Sequence, residues 1–268
     1  MIDLYNGDTL AIMDRLIEEG IQVDAIITDP PYGTTACKWD SVIDFEEMWI
    51  RLNKLIKPNG AIVLFGSEPF SSALRMSNIK NYRYDWIWEK DKVTGFLNSK
   101  KQPLRNFENI LLFYKKQPNY NPQFTKKNIK NIRPRMKDRN FKKRDVYSDF
   151  KDGDFREQDI GVAYPKQVLK YNQEKVGRGI VRYHPTQKPI KLMEYLIKTY
   201  TNENELVLDF TMGSGTTLVA CKNLNRKGIG IELDKTYFDI AENRVNEAIK
   251  GSSLDIEDLI ETDNLDEF

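Results

Sequence analysis

The sequence predicts an α/β protein: a mostly parallel, twisted sheet with helices on both faces. Three observations lead there. Apolar strand-like runs alternate with helical segments through residues 1–114. The same rhythm returns over 184–250. Between them, residues 115–183 follow neither period and read as an inserted region. Strands spaced by helices favour parallel pairing with both sheet faces covered.

The elements follow in chain order. "DAIIT" (24–28) is a short apolar strand, and "DFEEMWIRLNKLI" (44–56) is an amphipathic helix stopped by "KPNG". "AIVLF" (61–65) is a buried strand, with "YRYDWIWEK" (82–90) and "ENILLFYK" (108–115) as two more. After the insertion, "PIKLMEYLIKTY" is a helix, "ELVLDF" a strand and "GTTLVACKNL" a helix. "KGIGIEL" is the next strand and "DKTYFDIAENRVNEAI" the last helix. Ligands are expected at the carboxyl ends of the parallel strands.

Charge is balanced overall, 41 Lys and Arg against 40 Asp and Glu, but unevenly spread. Residues 115–183 carry 19 Lys and Arg and 8 Asp and Glu, a net +11. Within them, residues 126–144 hold 10 basic side chains and one acid, Asp138. Such a stretch suits phosphate contacts, and Tyr120, Phe124, Phe141, Tyr147 and Phe155 could wedge or stack among bases. The plainer alternative is a solvated basic loop. The tail 251–268 is acidic and is expected to be disordered.

Two cysteines, Cys37 and Cys221, are too few for a disulfide framework and read as small buried apolar residues. No apolar run reaches membrane-spanning length and no signal-peptide pattern opens the chain, so an intracellular protein is expected. No His, Cys, Asp or Glu cluster has metal-ligand spacing, so no metal is expected. Trp86 and Trp88, in a strand-like run, read as core. His184, the one histidine, reads as a loop-fixing or contact residue rather than a base.

Two motifs carry chemistry. "VLDFTMGSGTT" (207–217) leaves a strand and opens a helix; Gly213 and Gly215 allow a tight turn and close ligand approach. Glu232 ends the next strand, where an acid can accept hydrogen bonds from a ribose diol. The alternative is a plain strand-to-helix turn with Glu232 as a cap. No Walker lysine is present, and Leu218 stands where a dinucleotide motif needs its last glycine, so a nucleoside without pyrophosphate fits better. The second motif is "DPPY" (29–32), just after a strand; alone it reads somewhat better as a rigid surface turn.

Together, "DPPY", "HPTQKP" (184–189) and "DFTMGSGTT" (209–217) resemble the signature motifs of the S-adenosylmethionine-dependent DNA amino-methyltransferases. Their order, catalytic motif before cofactor motif with an insertion between, resembles the β class. "NGD" (6–8), "TTACKWD" (34–40) and "FENILLF" (107–113) are also similar to family elements.

The resemblance implies a Rossmann-like methyltransferase sheet over 1–114 and 184–250, and a target-recognition region at 115–183. It implies that Asp209, Phe210, Gly213, Ser214 and Gly215 line the methionine end of S-adenosylmethionine and that Glu232 holds its ribose. Asp8 is expected near the adenine, with Thr186, Gln187 and Lys188 near the carboxylate side. Asp29, Pro30, Pro31 and Tyr32 would form the catalytic motif.

A base amine is a poor nucleophile because its lone pair is delocalised into the ring. Asp29 and the Pro30 carbonyl would each accept a hydrogen bond from one of its N–H groups, and Tyr32 would stack on the extruded base. In-line transfer without a covalent adduct is expected, since neither cysteine follows a proline.

Asp29 favours adenine-N6 as target, because cytosine-N4 enzymes of the family more often carry Ser there; cytosine-N4 is the alternative. A DNA-binding protein that lost catalysis is a third reading. Double-stranded DNA is the expected partner, with a homodimer and a cognate restriction endonuclease implied by resemblance, in a prokaryotic or phage setting.

Overall fold

The computed structural model describes residues 1–34, 40–126, 162–173 and 187–248. The chain divides into two compact units, Met1–Asn121 with Gln167–Phe268, and Pro122–Lys166. Within the smaller unit, β6 (Thr125–Lys126) and β7 (Val162–Ala163) pair antiparallel, and the rings of Phe124 and Tyr164 meet edge-on at 4.9 Å.

The larger unit is built on one sheet. Its strands are β1 (Ile2–Asn6), β2 (Val23–Thr28), β3 (Ile56–Gly66), β4 (Tyr82–Thr94), β5 (Arg105–Phe113), β8 (Val168–Lys170), β9 (Leu206–Asp209) and β10 (Lys227–Glu232). Their order is β1-β10-β9-β2-β3-β5-β4-β8. Every neighbouring pair is parallel except the two that β5 makes, with β3 and β4. Residues 168–170 lie inside the stretch that composition marks as the insertion, yet they extend this sheet.

Alternation decides which face each side chain serves. On one face Ile26, Leu64, Leu208 and Ile231 pack with Met13 and Leu16 of α1 (Thr9–Glu18), Leu52 of α2 (Phe45–Leu55) and Leu74 of α3 (Phe70–Ser77). On the other, Ala25, Ile27, Val63, Phe65 and Val207 pack with Leu192 and Leu196 of α4 (Ile190–Tyr200) and Cys221 of α5 (Thr216–Asn223). The last helix, α6 (Lys235–Glu247), packs Ala241 and Val245 on Leu218 and Val219 of α5. Burial on both faces is why the central strands read as unbroken apolar runs. Trp86 and Trp88 are core, as expected.

One element boundary differs from the sequence reading. The helix α2 stops at Leu55, and Ile56–Gly60, including "KPNG", already belongs to β3. Pro58 pushes the residue before it into extended backbone, so the helix ends without a separate turn. Asp44 caps the other end, accepting from the Glu47 N–H at 3.0 Å.

The chain runs outward in both directions from the middle of the sheet: β2 leads to β3 on one side, β9 to β10 on the other. The crevice between β2 and β9 is therefore the topological switch point, where open α/β sheets bind ligands. Among the described residues, no helix is long and apolar enough to cross a membrane.

Candidate active site

Asp29 is the first residue beyond β2, and Asp209 is the last of β9; the two strands are direct neighbours, with Ile26 opposite Leu208. Residues 180 positions apart in sequence thus emerge side by side. Three threonines stitch the strand ends together. Thr28 donates to Asp209 Oδ1 at 2.5 Å and Thr217 donates to Oδ2 at 2.5 Å. The Thr211 hydroxyl lies 2.7 Å from that of Thr28 and donates to the Asp29 carbonyl at 3.1 Å. Burial pushes the Asp209 carboxyl up to about 6, although these donors favour the charged form.

A cavity of about 440 Å³ opens at this crevice. Asp29, Pro30, Pro31 and Tyr32 line one part; Asp8, Asp209, Phe210, Gly213, Ser214 and Glu232 line another; Gln187 and Lys188 also reach it. The candidate residue Thr186 lies outside the described residues, as do His184, Cys37, Phe141, Tyr147, Phe155 and the tail 251–268. Gly215 does not line the cavity. Its φ of +76° starts α5, and a Cβ there would sit 2.9 Å from the Ala241 Cβ, so it serves close packing of α5 on α6.

The turn beyond β9 is held from several sides. Gly213, at φ +52°, donates its N–H to Glu232 Oε2 at 2.9 Å, and the Asp234 N–H donates to Oε1 at 2.8 Å. Glu232 is thereby fixed at the mouth of the turn, and burial raises its pKa. Arg244 of α6 donates to the Ser214 carbonyl at 2.5 Å and its hydroxyl at 2.9 Å. Phe210 is a core side chain whose carbonyl accepts from Thr9 at 2.7 Å. Asp8 caps α1, accepting from the Ala11 N–H at 2.9 Å.

The "DPPY" end is held by charge and by stacking. Asp29 Oδ1 accepts from the Tyr32 hydroxyl at 2.5 Å, and Oδ2 accepts from Lys188 Nζ at 2.5 Å. One face of Tyr32 is stacked on Phe70, centroids 4.9 Å apart at 29°. Asp40 accepts the N–H groups of Gly33 and Thr34 at 2.8 and 2.9 Å, fixing the chain beyond the motif. Burial raises the Asp29 pKa, with Lys188 opposing it. Burial alone lowers the Lys188 pKa; Asp29 and Glu108 more than offset this and raise it.

Asp40 and Glu108 lie in stretches similar to family elements, but nothing in the sequence assigned either a role. The signal for Glu108 was a carboxylate heading the apolar strand "NILLF". Thr28, just before one motif, and Thr217, the last residue of the other, carried no signal beyond those positions.

Comparison with known proteins follows the same geometry. Type II methyltransferase M2.LlaDCHI of Lactococcus lactis subsp. cremoris is 29% identical over 265 residues, spanning 91% of this chain and 88% of its own. M.HpaI of Haemophilus parainfluenzae is 29% identical over 242 residues, 85% of this chain and 70% of its own. The crystal structure of the M1.HpyAVI–SAM complex is 30% identical with a TM-score of 0.62, covering 92% of this chain and all (100%) of that one. The cytosine-N4-specific PvuII DNA methyltransferase, 17% identical at a TM-score of 0.63 over 91% of this chain and 86% of its own, shares the fold. Residues 23–243, which run from the start of β2 into α6, match the DNA methylase family of N6/N4 type, and the chain belongs to that family.

Proposed function

We propose that the chain transfers a methyl group from S-adenosylmethionine to the exocyclic N6 of an adenine flipped out of double-stranded DNA, by direct in-line transfer. The observation that carries this reading is that Asp29 lines the same cavity as Gly213 and Glu232.

The residues present fit the cofactor. A cavity of about 440 Å³ suits a nucleoside-sized ligand. Glu232, already holding two backbone N–H groups, keeps lone pairs for a ribose diol. Asp8 is assigned to the adenine end, and Thr186, Gln187 and Lys188 to the carboxylate side, Lys188 being held there against Asp29. Asp209, Phe210, Gly213 and Ser214 form the wall at the methionine end, and Gly215 shapes the turn behind it.

When bound, S-adenosylmethionine supplies a methyl group on a sulfonium. The protein's part is positioning and electrostatics. Asp29 Oδ1 and the Pro30 carbonyl accept the two amine hydrogens and aim the lone pair outward. The nitrogen sheds one proton on methylation, and Asp29 is placed to receive it and release it through the cavity. Tyr32, backed by Phe70, offers its remaining face to the base.

Contact with duplex DNA is supported by charge. Residues 115–183 carry the net +11, and they are the proposed target-recognition region. The β4–β5 hairpin adds exposed Lys92, Lys100, Lys101 and Arg105 around exposed Phe96 and Leu97. It projects from the sheet edge that carries the cavity, since β4 runs parallel to β2, β3 and β9 through β5. Similarity to type II methyltransferases supports a cognate endonuclease.

The test is to incubate duplex DNA with enzyme and S-adenosylmethionine, digest to nucleosides and identify the product. N6-methyladenine is expected; N4-methylcytosine would replace the adenine assignment with the cytosine one. Asp29→Ala should lose at least about a hundred-fold in kcat while keeping cofactor and DNA affinity within a few-fold. Full activity in Asp29→Ala would exclude this mechanism.

A further inference from the structure

Behind Asp29 the structure holds charges that the reaction described so far does not use. Lys188 Nζ, bonded to Asp29 Oδ2, lies 3.2 Å from Glu108 Oε2. On its other oxygen, Glu108 forms an ion pair with Lys90. The four groups alternate in sign and come from four places: the end of β2, the turn before α4, β5 and β4. Their side chains are only 8–22% exposed. The lysine heads are walled by aromatic rings: Lys188 Nζ is 5.1 Å from Phe65 and 6.0 Å from Trp88, and Lys90 Nζ is 5.2 Å from Trp88.

A lone Lys188–Asp29 pair would already be neutral. Adding a second, buried pair is costly in desolvation and calls for a reason beyond charge balance. Lysine is a flexible point charge, and one partner does not fix where its head sits. Glu108 supplies the second anchor, and Lys90 neutralises Glu108 in turn. Glu108 Oε2 is buried and makes no well-aligned hydrogen bond, so its pull on Lys188 is chiefly charge.

We propose that Glu108 is a positioning residue for methyl transfer: with Lys90 behind it, it holds Lys188 on Oδ2 of Asp29, so that Oδ1 alone turns to the incoming amine. This rests on the reading of Asp29 as the amine's acceptor. Tyr32, which occupies Oδ1 in the free protein, is the group the amine displaces or shares with. The other ionisable groups facing this cluster are Asp209, which feels the charge of Asp29, and Asp40, whose charge helps keep the Tyr32 hydroxyl protonated.

The experiment is a double-variant cycle on the full chain, with Glu108→Gln, Lys188→Gln and the pair, measuring kcat, KM and cofactor affinity, with thermal melts to confirm folding. Glu108→Gln keeps the shape and removes the charge. It should lower kcat about ten- to a hundred-fold with KM for DNA and cofactor affinity changed less than about three-fold. In the Lys188→Gln background the same change should cost less than about three-fold, because Glu108 acts through Lys188.

Lys188→Gln should also move the acid limb of the pH–kcat profile to higher pH, since Asp29 would lose its cation, and Lys188→Arg should move it back. Additive losses, an unchanged kcat in folded Glu108→Gln, or weaker cofactor binding with an unmoved acid limb in Lys188→Gln would each overturn the proposal. A wild-type protein that methylates no DNA would overturn the parent reading and this one with it; an active wild type with an indifferent Glu108→Gln would overturn this one alone.

Discussion

Asp209 shows how one buried carboxylate can serve architecture and report on itself. Both its oxygens are taken by threonine hydroxyls, so its work is to bind β2, β9 and α5 into one crevice. Its pKa of about 6 in the folded chain lies above the usual value near 4. The folded protein therefore holds this proton more tightly than the unfolded chain. The resulting stabilisation is complete below about pH 4 and is lost as pH rises through about 6. Relative to Asp209→Asn, wild-type stability should fall by up to about 3 kcal/mol between pH 4 and pH 7, measured by denaturant unfolding of both proteins across that range. A pH-independent difference would show that Asp209 does not titrate there. Asp29 and the glycines were legible because proline and glycine leave marks in sequence that any reader can see. The Lys188–Asp29 pair was not, because 159 positions separate the partners and nothing local records that they meet.

At the scale of elements, most helices and strands were legible from their apolar period, and the exceptions have physical reasons. β1 is five residues and half-buried, too short for its alternation to stand out. β5 reads as a strand but not as an antiparallel one; the signal was that residues 95–104 are too few for a crossover α-helix and hold only a 3₁₀ turn at Phe96–Asn98, which leaves a hairpin path. The junction of α5 with α6 gives a test. Gly215→Ala places a Cβ against Ala241 in a left-handed backbone position. It should destabilise the fold by about 1–3 kcal/mol and lower Tm by several degrees in a thermal melt. An unchanged Tm would mean that α6 gives way freely. The β4–β5 hairpin gives another: Leu97→Ala with Phe96→Ala should weaken DNA binding while leaving Tm unchanged, because both side chains are solvent-exposed.

At the scale of the molecule, the near-neutral total charge conceals what matters for a polyanion. Binding to duplex DNA should weaken steeply as salt rises, by about 0.9 log units per log unit of salt for each phosphate contacted. Replacing Lys100 and Lys101 together with Gln should flatten that slope by about 1 to 2, read by fluorescence anisotropy over a salt series. A slope unaltered by the change would take the hairpin out of the interface. Composition made the basic middle of the chain visible, but base reading would need a three-dimensional spacing of side chains that composition does not encode.

The strand order β1-β10-β9-β2 carries a consequence for how the polypeptide is born. Among the described strands, β1 and β2 leave the ribosome before β9 and β10 yet end up separated by them, so a slot stays open between β1 and β2 until the later pair emerges. β1 has no ladder partner until Lys227–Glu232 has emerged, and the edge of β2 beside Asp29 stays bare until Leu206–Asp209 arrives. Closure is therefore a late, long-range event, and the crevice that would receive an extruded base comes into being only when β9 and β10 slide home between β1 and β2.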